Sequence, residues 1–289
     1  MLAARKVIEW GGGRMRRMEI GDAGRVAAMT AKLFEGSDII ASNFSSWVRK
    51  CEFWGEIVDE EVAGFINLRV FDEKRAIIES LRVDPKYRGL GIGHRLTQFA
   101  YDYVAPSSPR VDSVWSVCDS TNKTMCKVMP TVRAPVVARF ECLRAVQAPR
   151  GAGTGLASSG NRYETPLGIF VLHWIPYRVA AIEAIEEPTH SVHGREPGSF
   201  SVASVVPTGL GPTLTVFVCC RDEDQFAAFL GAHYDWALGL HPDDLASSYE
   251  VMYVHPTEQH PPAWLKPLSL DILGSDKWYG ANVHRRNVS

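Results

Sequence analysis

The sequence has no C-x-x-C pair, no Gly-Lys-Ser/Thr, no basic excess and no apolar run near the length of a membrane span. Each absence closes off a class of function. The six cysteines, Cys51, Cys118, Cys126, Cys142, Cys219 and Cys220, carry no zinc or thioredoxin signature. The adjacent Cys219 and Cys220 should point to opposite faces of a strand. Without Gly-Lys-Ser/Thr there is no P-loop. A formal net charge of −2 does not suit a surface that coats nucleic acid. Without about 18 consecutive apolar residues, no spanning helix is expected. The basic start (Arg5, Lys6, Arg14, Arg16, Arg17) lacks an apolar stretch of the secretory kind. Glu9 interrupts it and serine is absent, so a plain basic tail is expected over an organelle-targeting segment. Reduced thiols in a cytoplasmic compartment follow from that reading, and it discounts the glycosylation patterns at Asn43 and Asn287.

Histidine and tryptophan are plentiful but badly placed for a metal or ligand site. His190-x-x-His193 and His255-x-x-x-x-His260 lie in Pro/Gly-rich stretches, not at helical i, i+4 spacing, so no metal is expected. The eight tryptophans read as core, with Trp115 on a strand. Ser107-Ser108 and Ser158-Ser159 lack the strand-to-helix elbow of a hydrolase nucleophile.

A chain of 289 residues suggests about two units. The first half alternates between helix-like and strand-like stretches. Asp22 can cap a helix whose apolar face is Val26, Met29, Leu33 and Phe34. An amphipathic stretch surrounds Phe44 and Trp47. Three strands follow, Phe53–Val58, Val62–Phe71 and Ala76–Val83. The polar turns Asp59-Glu60-Glu61 and Asp72-Glu73-Lys74 make them antiparallel hairpins. After Pro85 a glycine-rich loop leads into a helix with Ile92, Leu96, Phe99, Ala100 and Tyr103 on one face. Val111–Val117 is a further strand, expected parallel to its predecessor. Gly151–Gly160 has no periodic apolar residues and reads as a linker. Beyond it, Leu167–Ile175, a strand Leu214–Cys220, a helix capped by Asp222 and a strand Tyr249–Val254 suggest a second α/β unit. From His255 onward the sequence reads as irregular. The expected domains are a tail at 1–14, a catalytic domain at 15–150, a linker at 151–165 and an α/β subdomain at 166–289.

The chemistry is concentrated in Leu81-Arg82-Val83-Asp84-Pro85-Lys86-Tyr87-Arg88-Gly89-Leu90-Gly91-Ile92-Gly93. A strand ends, a proline breaks it, and Arg-Gly-x-Gly-x-Gly opens a helix. Glycines let backbone N–H groups approach a phosphate with no side chain in the way. The helix start adds unpaired donors and positive potential. Arg88 either contacts the ligand or orients the loop. The third glycine of a dinucleotide fingerprint would fall at His94, and the loop follows antiparallel hairpins, so the dinucleotide reading fails.

Val83-x-Pro85-x-x-Arg88-Gly89-x-Gly91-Ile92-Gly93 resembles the cofactor motif of the GNAT acetyltransferases, over about residues 15–145. The resemblance implies a mixed-sheet α/β fold, here with a second, smaller GNAT-like α/β subdomain, and acetyl-CoA as co-substrate. It implies that the strand before the loop splays from its neighbour. Leu81, Arg82 and Val83 would then pair with the pantetheine arm. Arg88, Gly89, Leu90, Gly91, Ile92, Gly93 and His94 would hold the pyrophosphate. Glu79-Ser80-Leu81-Arg82-Val83 is similar to the strand of the histidine N-acetyltransferase-like branch.

Acetylating an amine requires removing its proton. Glu79 lies mid-strand beside the implied acetyl site, where family analogues include a general base. In the family pattern Asn-x-x-(small)-x-x-x-Tyr, Asn122 aligns with the asparagine and is read as cofactor-binding. Met125 fills the small slot, and Met129 falls where a tyrosine would donate a proton. Cys126 and Tyr87 are the alternatives for the acid, or the thiolate leaves unassisted. The expected function is N-acetylation of a small-molecule amine, with the α-amine of histidine or another amino acid as candidates. The long C-terminal region favours a small acceptor, because a protein needs an open groove. Acetylation of protein N-termini or lysines, and a non-catalytic acyl-CoA-binding module, are the alternatives.

Overall fold

A computed structural model describes residues 7–33, 38–72, 74–108, 110–145, 169–172, 175–178, 189–193, 199–208, 211–243, 245, 249–254, 262–263, 265–266 and 279–287. The chain forms two compact units. The first takes Met1–Ser116, Asn122–Val137 and His284–Ser289; the second takes Val117–Thr121 and Ala138–Val283.

The first unit opens with a hairpin of β1 (Val7–Trp10) and β2 (Gly13–Arg17). The basic start is therefore not a tail from Val7 on. Its residues alternate, and Met15 is fully buried. Two helices follow, α1 (Ala23–Thr30) and α2 (Ile40–Lys50). Then come β3 (Glu52–Val58), β4 (Glu61–Asp72) and β5 (Arg75–Val83), all antiparallel. α3 (Ile92–Ser107), β6 (Ser113–Asp119) and α4 (Lys123–Thr131) complete it. The sheet runs in the order β1-β2-β3-β4-β5-β6.

The two sheet faces bury different helices. On one, Ile66 and Leu68 of β4 and Ala76 and Ile78 of β5 pack with Ile92, Leu96 and Phe99 of α3. On the other, Phe53 and Phe65 pack with Val26, Met29, Phe44 and Val48 of α1 and α2. Gly64 sets how closely α3 approaches, since a Cβ there would lie 2.9 Å from Ile92 Cγ2 and 3.0 Å from Arg82 O.

Several local expectations shift. α1 ends at Thr30, so Leu33 lies beyond it, and Phe34 is outside the described residues. Asp22 precedes α1 but makes no side-chain cap. Its carboxylate accepts two hydrogen bonds from the Arg16 guanidinium (2.8 and 2.7 Å). Its Oδ2 also accepts from Glu19 N at 2.8 Å, so the carboxylate closes the preceding turn, Ile20–Asp22, rather than the start of α1. The turn before β4 is Asp59-Glu60, both at positive φ, and Glu61 already belongs to the strand.

The second unit contains β7 (Val136–Ala145) from Ala138 on. A hairpin of β8 (Ile169–Leu172) and β9 (Ile175–Arg178) follows. β10 (Thr189–His193), β11 (Phe200–Thr208) and β12 (Gly211–Cys219) form an antiparallel run. α5 (Glu223–Leu240) then returns the chain to β13 (Tyr249–Val254), parallel to β12 and antiparallel to β7. β14 (Tyr279–Asn287) lies beside β7. The irregular reading beyond His255 thus missed a strand, whose last residues, His284 onward, belong to the first unit. The first unit gives way at Val137 and takes in His284–Ser289. The expected linker at 151–165 lies outside the described residues.

Asp222 caps α5 as expected, its Oδ1 accepting from Gln225 N at 2.8 Å. Phe226, Phe229 and Leu230 of α5 pack on Val216 and Val218 of β12 and on Val251 and Tyr253 of β13. A polar network runs through this core. His233 is fully buried. Its Nε2 is bonded to Ser201 Oγ and its Nδ1 to His190 Nδ1 (3.0 Å), and His190 stacks on Trp236. Burial pushes the pKa of His233 well below 6.5, helped by His190, and burial also lowers that of His190. The folded unit therefore holds both rings neutral, while the unfolded chain would bind protons below pH 6.5. Their contribution is complete above that value and is lost as the pH falls toward the lowered folded-state values. Circular dichroism melts at about pH 7.5 and about pH 5.5 should show a lower melting temperature at the acid end, and a smaller drop in His233→Gln. Equal drops in both proteins would remove this network as the cause.

Candidate functional site

The site is built where β5 leaves its neighbour. β5 and β6 pair in parallel only at Arg75, Ala76 and Ile77, opposite Ser113, Val114 and Trp115. From Ile78 to Val83 the pairing with β6 does not continue, while β5 stays on β4 as far as Val83 opposite Gly64. The expected splay is present, and Leu81, Arg82 and Val83 lie on it.

A bulge re-aims the side chains there. Phe65 pairs with Arg82 and Asn67 with Glu79, so two steps on β4 match three on β5. The extra residue accounts for Ser80, held at φ 60°. One inserted residue reverses the alternation. Ala76 and Ile78 face α3 before it, Leu81 and Val83 after it. A serine in the left-handed region is uncommon and collects at functional sites.

Glu79 lies on the opposite face from α3. Its Oε1 accepts from Asn67 Nδ2 (2.8 Å) and lies 3.6 Å from Arg69 Nε. Asn67 is fully buried, and its Oδ1 has no hydrogen-bond partner among the described residues. Cys51 adjoins this group. Burial pushes its thiol up, Arg69 draws it down, and Glu79 and Asn67 also act on it. A cavity of about 180 Å³ adjoins Cys51 and Arg69, but Leu68, Val70, Val104 and Ser108 also line it, and Glu79 and Asn67 do not. Arg82 donates to Asp38 Oδ2 (2.7 Å) and to Leu81 O (3.0 Å). Sequence reasoning missed Asn67, Arg69 and Cys51. The available signal was a lone polar asparagine inside the apolar run Val62–Phe71.

The loop follows directly. Asp84 takes Lys86 N (2.8 Å) and Arg25 (2.5 Å), and so caps the short turn Pro85–Tyr87. Arg25, Lys86 and the backbone together hold its carboxyl below the usual range, against the effect of burial. Gly89 (φ 83°) and Gly91 (φ 74°) then take left-handed conformations, and Gly91 is the N-cap of α3. Only glycine adopts these angles freely. The loop and the first turn of α3 thus offer backbone donors with exposed Gly89, Leu90, Gly91 and His94 around them. Arg88 is exposed, and its Nε reaches back toward Val83 O (3.4 Å), which suits a loop-orienting part. A Cβ at Gly93 would meet Val83 and Leu81 only at 3.7 and 3.8 Å, so space does not demand glycine there.

Asn122 is the N-cap of α4, its Oδ1 accepting from Met125 N at 3.1 Å. Met129 is buried in the core, with Ser116 Oγ donating toward its Sδ at 4.0 Å. A thioether has no proton to give. The Tyr87 hydroxyl, on a buried residue, donates to Glu61 (3.3 Å), and Cys126 is half-buried on α4. Trp115 is core, with the Arg75 and Arg285 guanidinium groups over its ring. Among the described residues no cluster of three or more His, Cys, Asp or Glu is placed to hold a metal, and no helix is long and apolar enough to cross a membrane.

The equivalent place in the second unit is built differently. β12 and β13 stay paired over Thr215–Cys219. α5 opens with Asp222, Glu223 and Asp224, whose charges oppose an anion at the helix start.

Residues 28–129 match the acetyltransferase (GNAT) family. Among solved structures, a tandem GNAT protein from the clavulanic acid biosynthesis pathway is similar over 95% of this chain and 98% of its own, at 11% identity and a TM-score of 0.59. A GCN5-related N-acetyltransferase from Sphaerobacter thermophilus is similar over 95% of each chain, at 14% identity and a TM-score of 0.54. At such identities the likeness is one of fold, and it extends over both units. No curated protein sequence matches significantly. The parted strands and the glycine loop both lie within the residues that match the acetyltransferase (GNAT) family, and together they support an acyl-CoA-dependent N-acetyltransferase.

Proposed function

We propose that the protein moves the acetyl group of acetyl-CoA to the primary amine of a small molecule, with the α-amine of histidine or another amino acid as the first acceptors to test. The observation that carries this reading is the parting of β5 from β6 beyond Ile77, on the way into the glycine loop. Backbone groups of Leu81, Arg82 and Val83 would pair with the pantetheine arm. Donors from Arg88 to His94 would hold the diphosphate, and Asn122 would border the cofactor from α4. Bound acetyl-CoA supplies the activated acetyl thioester.

The chain's own part is proton handling and orientation. A primary amine brings N–H donors, and Glu79 and the Asn67 carbonyl oxygen are neighbouring acceptors for them. Glu79 takes the proton, directly or through a water, and frees the lone pair for attack. Asn67 and Arg69 fix the carboxylate's position.

The test is release of free CoA thiol by purified protein against free amino acids, simple amines and peptides. Turnover with one or more free amines supports the reading. Turnover confined to peptide N-termini or lysines would move it to protein acetylation, and binding of acetyl-CoA without turnover on any amine would make the chain a non-catalytic module.

A further inference from the structure

Arg95 sits in the first turn of α3, where the helix dipole disfavours a cation. Its side chain nevertheless folds back toward the helix start. There Nη1 donates to Leu90 O in the glycine loop (2.7 Å). The other side of the guanidinium is clamped by Glu56 of β3: Nε lies 3.0 and 3.2 Å from the two carboxylate oxygens and Nη2 lies 2.5 Å from Oε1. The Glu56 side chain is 2% exposed and that of Arg95 24%. Two glycines leave room for the pair. A Cβ at Gly13 of β2 would lie 3.0 Å from Glu56 Cδ and 3.1 Å from Arg95 Nε, and one at Gly91 would lie 3.1 Å from Arg95 Nη1. Segments far apart in sequence thus converge on one guanidinium, which reaches the loop through a carbonyl oxygen.

The chemistry of that contact points at an anion. A loop that binds a diphosphate must present N–H groups and turn its carbonyl oxygens away, since those oxygens repel phosphate. Arg95 holds the Leu90 carbonyl by a charge-assisted bond and adds positive charge beneath the loop. Glu56 keeps the guanidinium in one orientation and offsets the unfavourable place of a cation at a helix start. We propose that the buried Glu56–Arg95 pair is the brace of the diphosphate loop, and that Arg95 is a positioning residue for the diphosphate of the acyl donor. This rests on acetyl-CoA binding at Arg88 to Gly93.

The test compares two donors, acetyl-CoA and S-acetyl-pantetheine, which keeps the thioester and lacks the diphosphate. Removing one partner alone would leave a buried unpaired charge, so the main variant replaces both, Glu56→Leu with Arg95→Met. Its melting temperature is recorded alongside. The expected result is a fall of about tenfold or more in the preference for acetyl-CoA over acetyl-pantetheine in kcat/KM, carried by the KM for acetyl-CoA rather than by kcat. Arg95→Lys, which keeps the charge and loses the fork, should fall between the two. A purely structural pair would lower both donors alike and leave their ratio at the wild-type value; that result overturns the proposal while the donor assignment stands. A wild-type protein with no preference for acetyl-CoA over acetyl-pantetheine overturns the diphosphate assignment and the brace with it.

Discussion

Replacing Glu79 by glutamine should lower kcat by about a hundredfold or more, the usual contribution of a positioned base. Glutamine keeps the size and can still pair with Asn67, but it cannot take a proton. Acetyl-CoA affinity should change little, because in the proposed function the loop and the β5 edge would contact the donor through backbone groups. The loss should depend on pH. An α-amine has a pKa near 8, so below that value most acceptor is protonated and the base matters most. The variant's rate should therefore climb steeply with pH as the amine deprotonates by itself, and the gap to wild type should narrow at the alkaline end. Initial rates of thiol release across that range decide it. A variant whose pH profile matches the wild type would take Glu79 out of the proton-handling role, whatever its absolute rate.

Gly91→Val should remove the donor site by a different route. Gly91 holds φ at 74°, where an L-residue pays about 1–2 kcal/mol and a β-branched one more. A Cβ there would also crowd Arg95 Nη1 at 3.1 Å. Relaxing either strain turns the loop's N–H groups away from where the diphosphate would lie. Acetyl-CoA binding by calorimetry should weaken by about tenfold or more, since each 1.4 kcal/mol is a factor of ten. The fold should survive, because Gly91 is exposed and belongs to no core cluster. Wild-type affinity in a folded Gly91→Val protein would mean that the diphosphate binds elsewhere.

Much of the first unit was legible from local pattern. β3, β4 and β5 came from apolar runs broken by short polar turns, and α3 from its periodic face of Ile92, Leu96, Phe99 and Ala100. The parallel entry of β6 followed from the intervening helix. The loop was legible because its requirement is local: left-handed backbone needs glycine, and a proline stops the strand. Asp222 as a cap was legible for the same reason, whereas Asp22 was not. Arg16, six residues away, claims its carboxylate, and helix capping rules do not count distant cations.

The rest depended on partners that lie far apart in the chain. β1 and β2 looked like a basic tail because Arg14, Arg16 and Arg17 dominate the stretch, yet Gly13, Met15 and Arg16 of β2 are buried. β14 is polar, and its place beside β7 is a matter of pairing rather than propensity. The first unit gathers segments from both halves of the chain, which follows from contacts rather than from local composition.

By itself the sequence determined the donor loop and the strand that feeds it, since both rest on backbone conformations that individual residues permit or forbid. It also singled out Glu79 as the carboxylate in the middle of that strand. Only the tertiary structure decided what surrounds them. The register shift at Ser80 sets which face Glu79 presents, and that shift exists only in pairing with β4. Asn67 is twelve residues from Glu79 and Glu56 is thirty-nine from Arg95. Such pairs are made by strands and helices packing side by side, and a carboxylate and a guanidinium attract through space, which leaves no trace in the spacing of residues along the chain.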